Sequence, residues 1–191
     1  KTPLAVVRNS LLDPEPDKNL LTEQLSRMET TVAHQLTRAS AQGPVVVGKP
    51  VDVAKLVSRL VQALNKAYVD RGVETEVDMA DELMVRGDEA DFLEIFGNLT
   101  ENAYKYTNSK VWVTGRVIDE TVEICISDNG PGIPETERSE VLNRGKRLDE
   151  IKPGQGIGLA VVGELVDLYV GELSIGESEA GGAAITVRLP V

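Results

Sequence analysis

The sequence predicts an α+β protein, a two-layer α/β sandwich in which helices cover one face of a sheet. Helical and strand segments follow one another in mixed order along the chain. The strand segments alternate apolar and polar residues, and the helical segments carry an apolar stripe. Because elements with one apolar face must bury that face together, a layer of helices on a sheet fits this order best.

Composition limits the classes of function. The chain has 191 residues, 41% of them apolar, which suffices for one domain with or without an appendage. Its formal net charge of −11 argues against nucleic acids and anionic membrane surfaces as partners. No apolar run is long enough to span a bilayer. The single cysteine, Cys125, excludes an intrachain disulfide, and we expect it in the core.

Residues 1–42 are predicted to form a helical segment separate from the rest. A long helix that carries the apolar stripe from Leu21 to Ala39 needs a partner along one face, and a bundle or dimer is favoured over packing on its own domain because a linker, residues 42–44, follows. We therefore divide the chain into 1–42 and 43–191. The apolar stripe recurs in a heptad-like pattern at Leu21, Leu25, Met28, Val32, Leu36 and Ala39.

The second part is expected to begin with a strand over 45–50. Asp52 is a suitable cap for a helix that runs to about Asp70. Two short strands are then expected, over 73–77 and 83–85.

A second capped helix follows. Asp88 is expected to begin it, and it runs to about Tyr106. Residues 110–117 and 122–126 alternate and predict a strand pair around a turn at Asp119 and Glu120. The remaining segments are a short helix over 134–142, a charged loop over 144–155, an apolar-striped helix over 157–170, and strands over 173–176 and 184–189 with a turn at Gly181 and Gly182.

The second capped helix carries side chains suited to a metal and a nucleotide. Asn98 and Asn102 are spaced i and i+4, so they project from one face. Their amide oxygens suit Mg²⁺, which prefers oxygen ligands and keeps phosphates and water in its shell. Lys105 can neutralise a phosphate, and Tyr106 can stack on a base. Glu94, one turn earlier, can polarise an attacking group or hold a metal-bound water, with a solvated carboxylate as the alternative.

A glycine-rich acidic turn follows the strand at 122–126. Asp128 ends that strand, and Gly130 and Gly132 permit positive φ and a close approach of the backbone to a ligand. A buried carboxylate there would accept a hydrogen bond from the amino group of adenine, which distinguishes adenine from guanine. An ordinary Asn-Gly turn is the alternative, and the paired asparagines favour the nucleotide site.

A glycine run over 154–158 is predicted to open a helix, whose free N–H groups and dipole favour phosphate. A flexible hinge is the alternative, since it would show the same glycine pattern. We interpret the basic residues just before it as a lid that reaches the γ-phosphate, with a solvated charge run as the alternative. These residues are Arg144, Lys146, Arg147 and Lys152.

Three motifs, in this order, resemble the ATP-binding domain of two-component sensor histidine kinases, within the wider family that also holds the Hsp90, MutL and gyrase ATPases. Residues 98–107 resemble the kinases' N box, and residues 128–133 and 154–159 resemble their two glycine boxes. Asn102 matters because the sister ATPases usually carry Asp at that place. The resemblance covers residues 45–191 and implies the Bergerat-type ATP-binding fold, preceded by a remnant of a helical hairpin.

The resemblance implies ATP and Mg²⁺ as cofactors. The charged loop is most similar to that of the PhoQ-type sensor kinases, which implies nucleotide contacts by its arginine and glutamine. The implied nucleotide-binding residues are Asn98, Asn102, Lys105, Tyr106, Asp128, Gly130, Gly132, Ile133, Arg147, Lys152, Gln155, Gly156, Ile157, Gly158 and Leu159. The implied metal ligands are Asn98, Asn102 and Gln155, and the implied catalytic residues are Glu94, Asn98 and Arg147.

The N-terminal part resembles the dimerisation and phosphotransfer hairpin of the same kinases. Residues 1–5 resemble the tail of the H box, so the phosphoacceptor histidine is expected just upstream of this chain, and residues 17–41 would be the second hairpin helix. The resemblance implies transfer of the ATP γ-phosphoryl to that histidine, then to an aspartate of a response regulator. It further implies a homodimer through the hairpin helices and the cytoplasmic portion of an inner-membrane sensor.

Two alternatives remain open. The chain could be an ATP hydrolase of the Hsp90, MutL and gyrase class, with Glu94 activating water, although Asn102 and the hairpin-like N-terminus count against it. It could instead be a non-catalytic nucleotide-binding or dimerisation module that works through the apolar stripe, although the three intact motifs count against that.

Overall fold

The computed structural model describes residues 48–138 and 158–191, which belong to one compact unit. The helix expected over 17–41 and the charged loop expected over 144–155 lie outside the described residues. The boundary between the hairpin remnant and the ATP-binding domain therefore stays a prediction. Within the described ranges, no helix combines the length and the apolar character needed to cross a bilayer.

The described strands are β1 Lys49–Asp52, β2 Glu74–Met79, β3 Met84–Gly87, β4 Lys110–Ile118, β5 Thr121–Asp128, β6 Glu172–Glu177 and β7 Ala183–Pro190. Five of them form a sheet in the order β2-β4-β5-β7-β6, and β1 pairs with β3 in a separate two-stranded ribbon. β2 runs parallel to β4, and the other pairs of the sheet are antiparallel.

The described helices are α1 Val53–Ala67, α2 Glu89–Tyr106, α3 Glu135–Arg138 and α4 Gly158–Leu168. Asp52 caps α1 by accepting a hydrogen bond from Lys55 N at 3.3 Å. Asp88 caps α2 by accepting one from Ala90 N at 2.8 Å. Both predicted caps are confirmed, because each carboxylate satisfies an N–H group that the first turn leaves without a helical partner.

Helix α2 is fixed in place by the packing of its apolar side against the rest of the domain. Phe92, Ile95, Phe96 and Leu99 on that side are buried. The helix contacts α1, α4 and β5. Burial of each such side chain contributes about 1.5–3 kcal/mol. The position of the polar residues along α2 is therefore fixed by packing on the other side of the helix.

The sheet buries one face against the helices, which confirms the two-layer sandwich. On β5, Val122, Ile124 and Ile126 are buried, and the residues between them lie on the opposite face. The expectation that Cys125 lies in the core is wrong for this reason. The period of two along the strand puts its thiol on the outer face, where the residue is half-buried.

Several boundaries differ from the predictions by a few residues. β1 runs on to Asp52 because each of its residues pairs with β3. α1 ends at Ala67 rather than near Asp70, and a 3₁₀ turn over Val69–Arg71 leads into Gly72, whose φ of 61° ends the helical path. The short helix expected over 134–142 is described only over Glu135–Arg138.

Candidate nucleotide-binding site

The two asparagines of α2 lie on one side of the helix, as predicted, and both are half-buried. The Nδ2 group of Asn98 donates to the backbone oxygen of Glu94 at 2.7 Å. Because Nδ2 faces this backbone oxygen and can only donate, the carboxamide oxygen is the atom of the side chain that can coordinate a metal ion. The side chain of Glu94 is exposed.

Helix α4 meets α2 at this carboxamide. A Cβ added to Gly158 would lie 2.6 Å from Oδ1 of Asn98, closer than real Cβ contacts allow. Gly158 therefore lets the first described turn of α4 approach the asparagine while its carboxamide keeps this orientation. The next residue, Leu159, is partly buried against the core and anchors that turn.

Asp128 is the last residue of β5, and its side chain is buried, with 5% exposure. Its Oδ1 accepts hydrogen bonds from Gly130 N at 2.7 Å and Ala183 N at 3.4 Å. Burial raises the pKa of this carboxyl above its ordinary value of 3.8, although the two backbone donors oppose that effect. Because both described bonds fall on Oδ1, Oδ2 can accept a bond from a ligand.

Two glycines around Asp128 leave no room for a side chain. A Cβ on Gly130 would collide with the backbone oxygen of Tyr106, and one on Gly182 would collide with the backbone oxygen of Asp128. Gly132 has a φ of 72°, which favours glycine. The half-buried Ile133 follows, and its backbone oxygen accepts from Arg138 Nε at 3.0 Å.

The end of α2 lies directly against the turn after β5. The contact between Tyr106 and Gly130 brings the two predicted motifs together. Lys105 is on the last turn of α2, and its Nζ lies 5.2 Å from the centre of the Tyr106 ring. The stacking of Tyr106 on a base and the phosphate contact of Lys105 stay predictions.

Asn129 holds this arrangement together, a role that the sequence analysis missed. Its Oδ1 accepts from Ser109 N and Lys110 N, both at 3.0 Å, and lies 2.7 Å from Thr107 Oγ1. Its backbone oxygen accepts from Asn108 Nδ2 at 2.6 Å. Asn129 thus clamps the loop that leaves α2. The sequence showed an Asn-Gly turn here, but it gave no sign of the partner loop.

Arg71 was also missed. It donates hydrogen bonds to the backbone oxygens of Tyr104 and Lys105 in the last turn of α2 and to that of Thr107, the next residue after the helix. No motif marks it, since it lies in the 3₁₀ turn between α1 and β2.

The remaining predicted site residues lie outside the described residues. They are Arg147, Lys152, Gln155, Gly156 and Ile157, and their predicted contacts with phosphate and metal stay predictions. The described portion of the chain holds no cluster of three or more His, Cys, Asp or Glu side chains that suits a metal ion. The donors that it does offer, the amide oxygens of Asn98 and Asn102, fit Mg²⁺ that completes its shell with phosphate and water.

Comparisons with known proteins agree with this geometry. Residues 87–191 match the family described as histidine kinase-, DNA gyrase B-, and HSP90-like ATPase. The sensor protein PhoQ of Escherichia coli is 38% identical over 195 residues, covering 98% of this chain and 40% of that protein. The chain thus spans less than half the length of this relative.

Solved structures give the same picture. The mycobacterial sensor histidine kinase MprB has a TM-score of 0.68 and 32% identity, covering 75% of this chain and 97% of that one. The ATP-binding domain of PrrB from Mycobacterium tuberculosis has a TM-score of 0.62 and 30% identity, covering 74% of this chain and 95% of that one.

Proposed function

Because the chain belongs to the family of histidine kinase-, DNA gyrase B- and HSP90-like ATPases, we propose that it is the ATP-binding catalytic part of a sensor histidine kinase. The single observation that carries the proposal is the contact between the end of α2 and the turn after β5, where Tyr106 meets Gly130. This contact joins a buried carboxylate suited to adenine to a helix whose amides suit a metal-bound polyphosphate.

The adenine end of the proposed site is Asp128. Its Oδ1 is occupied by two backbone N–H groups, so Oδ2 would accept the amino group of adenine. Guanine carries an oxygen at the corresponding place, which repels a carboxylate. The buried position of Asp128 strengthens this selectivity, since an unmatched polar group costs most where water is excluded.

The phosphate end consists of Asn98, Asn102 and Lys105. Bound Mg²⁺ would neutralise phosphate charge and orient the γ-phosphoryl group. The two carboxamides would hold the metal without adding negative charge, and the lysine would pair with a phosphate oxygen. Arg147, Lys152 and Gln155 would complete this end from the charged loop. The protein's contribution is then mainly positioning and charge stabilisation, as phosphoryl transfer requires.

The rest of the pathway belongs to the whole protein. PhoQ is named a sensor protein, and MprB a sensor histidine kinase. By this likeness, the γ-phosphoryl group would pass to a histidine on a hairpin helix and then to an aspartate of a response regulator. The whole protein would be a homodimer through its hairpin helices, and this chain would be a cytoplasmic portion of an inner-membrane sensor.

Calorimetric titration tests the nucleotide site. We expect a non-hydrolysable ATP analogue to bind more tightly with Mg²⁺ than without it, and GTP to bind weakly. Asn98→Ala is expected to remove most of the gain from Mg²⁺, about tenfold or more in affinity. Gln62→Ala, which removes an exposed amide on α1, is the matched control. Equal affinities of the Asn98 variant and the parent at every Mg²⁺ concentration would contradict the metal assignment.

A labelling experiment separates kinase from hydrolase. The full-length protein is incubated with ATP labelled at the γ-phosphate, and a histidine kinase is expected to yield a protein-bound label that is stable in alkali and lost in acid. Steady release of phosphate that collapses in Glu94→Ala, with no labelled protein, would support the hydrolase instead.

A further inference from the structure

Arg71 contacts the end of α2 through three backbone oxygens. Its Nη1 donates to the oxygen of Tyr104 at 2.6 Å and to that of Lys105 at 3.1 Å, and its Nη2 donates to that of Thr107 at 2.8 Å. The last carbonyls of a helix have no partner within the helix, and they carry the negative end of its dipole. The planar guanidinium satisfies several of them at once, which a lysine ammonium cannot do in the same way.

Thr107 is held from two sides. The residue is 2% exposed and follows the last residue of α2. Its backbone oxygen accepts from Arg71, and its hydroxyl lies 2.7 Å from Oδ1 of Asn129. Arg71 comes from the turn between α1 and β2, whereas Asn129 comes from the turn after β5. The junction between α2 and β4 is thereby tied to two separate parts of the domain.

We propose that Arg71 and Asn129 form a two-sided clamp on Thr107 that sets the distance between the phosphate end and the base end of the site. This inference rests on the proposed function. α2 carries the residues for the phosphates, and Asn129 is the direct neighbour of Asp128. A nucleotide that binds at both ends at once depends on that distance, whereas a nucleoside that binds only at the base end does not. Arg71 is in this sense a positioning residue, since it acts on the nucleotide through the backbone at the end of α2. It lies outside all three motifs.

The test compares a ligand that reaches both ends with a ligand that reaches one. Mg·ATP and adenosine are titrated separately into the parent chain and into Arg71→Lys. The variant is expected to lose about tenfold in affinity for Mg·ATP, while its affinity for adenosine changes by less than about twofold. Thermal unfolding of each variant is recorded alongside the titrations.

The chain offers matched controls. Arg59 lies on α1, and its Nη1 is 3.5 Å from Oε1 of Glu89 in the first turn of α2. Arg59→Lys therefore alters an arginine that contacts the opposite end of α2, and both affinities are expected to stay unchanged. On the other side of the clamp, Asn129→Asp keeps an oxygen for the donors of the loop, whereas Asn129→Ala removes it. The aspartate variant is expected to retain more of the preference for Mg·ATP over adenosine than the alanine variant.

The outcomes are distinguishable. If Arg71→Lys lowers both affinities equally, together with the unfolding temperature, or lowers neither, the clamp has no positioning role and the inference is wrong. If the parent chain binds adenosine but gains nothing from the phosphates and Mg²⁺, the proposed function itself fails, whatever Arg71 does. A selective loss for Mg·ATP in Arg71→Lys, absent from Arg59→Lys, supports both.

Discussion

The base end and the phosphate end of the proposed site are built in different ways. At the base end, Asp128 is buried, accepts two backbone N–H groups and is flanked by glycines with no room for a Cβ. At the phosphate end, Asn98 is half-buried on a helix, and its carboxamide lies close to Gly158 of α4. The base end uses the backbone that holds β5 to β7, whereas the phosphate end uses side chains on the polar side of an already packed helix.

This difference predicts at which end of the site a substitution can affect ligand binding without affecting folding stability. A substitution that adds volume at the base end must move backbone, so the fold and the ligand are affected together. At the phosphate end, a side chain can rotate away, so binding is lost while the fold persists. Substitutions at matched glycines measure this contrast directly.

The largest effect is expected for Gly182→Ala. The added Cβ would collide with the backbone oxygen of Asp128 and lie 2.5 Å from its Oδ1. We expect the free energy of unfolding to fall by about 1–3 kcal/mol, with loss of nucleotide binding, as measured by urea denaturation and calorimetry. Gly176→Ala, whose Cβ would meet an ordinary contact at 3.8 Å, is the control. Equal stabilities of the two variants would contradict a rigid base end.

Asp128→Asn separates the carboxylate from the turn that it forms. The amide oxygen can accept the same two backbone donors, so the fold is expected to persist. The new NH2 group would face the amino group of adenine, and the affinity for ATP is expected to fall by about a hundredfold. A parallel loss of folding stability and ATP affinity in this variant would identify Asp128 as a structural residue of the turn.

The same variant has an expected pH signature. Because burial raises the pKa of Asp128 above 3.8, the folded state favours the protonated carboxyl more than the unfolded state does. The stability from this group is fully present below 3.8 and is lost as pH rises through the raised pKa of the folded state. Asp128→Asn should abolish this loss. Urea denaturation at pH values from 3.8 up through the raised pKa should therefore show the free energy of unfolding of the variant rising relative to that of the parent. A difference that is constant with pH would contradict the assignment.

Gly158→Ala tests the phosphate end. Its Cβ would lie 2.6 Å from Oδ1 of Asn98, and the carboxamide can yield by rotating and giving up its bond to Glu94. We expect the affinity for Mg·ATP to fall by about tenfold, while the free energy of unfolding changes by less than about 1 kcal/mol. A stability loss as large as that of Gly182→Ala would show that the two ends do not differ in kind.

The smallest effect is expected for Gly97→Ala. A Cβ at this position would meet nothing within 4 Å, although the residue lies inside α2. Replacing a glycine in a helix interior by alanine should therefore raise the free energy of unfolding by about 1 kcal/mol. Nucleotide affinity should stay the same, and a clear loss of it would mean that a ligand contacts this part of the helix backbone.

Sequence reasoning was most successful where local chemistry decides the structure. The start of α2 follows from Asp88, and the spacing of Asn98 and Asn102 follows from helix geometry. The turn between β4 and β5 follows from the alternating segments on either side, and Asp119 and Glu120 there adopt positive φ of 47° and 61°.

It failed where distant segments meet. Arg71 and Tyr104 are 33 residues apart in the chain, and no periodicity reports a hydrogen bond between a side chain and such a remote carbonyl. The parallel pairing of β2 with β4 was likewise hidden, since pairing depends on how α2 crosses between them. The site roles of residues between 139 and 157 stay predictions that rest on the motifs alone.

The strand order also bears on how the chain acquires its fold during synthesis. β7 is the last described strand to leave the ribosome, yet it lies between β5 and β6 in the sheet. Until residues 183–190 emerge, β5 can pair only with β4, and its other edge is open to misassembly. Ala183 N, one of the two backbone donors to Asp128, arrives with that strand. The base end therefore cannot be completed until residues 183–190 have been translated.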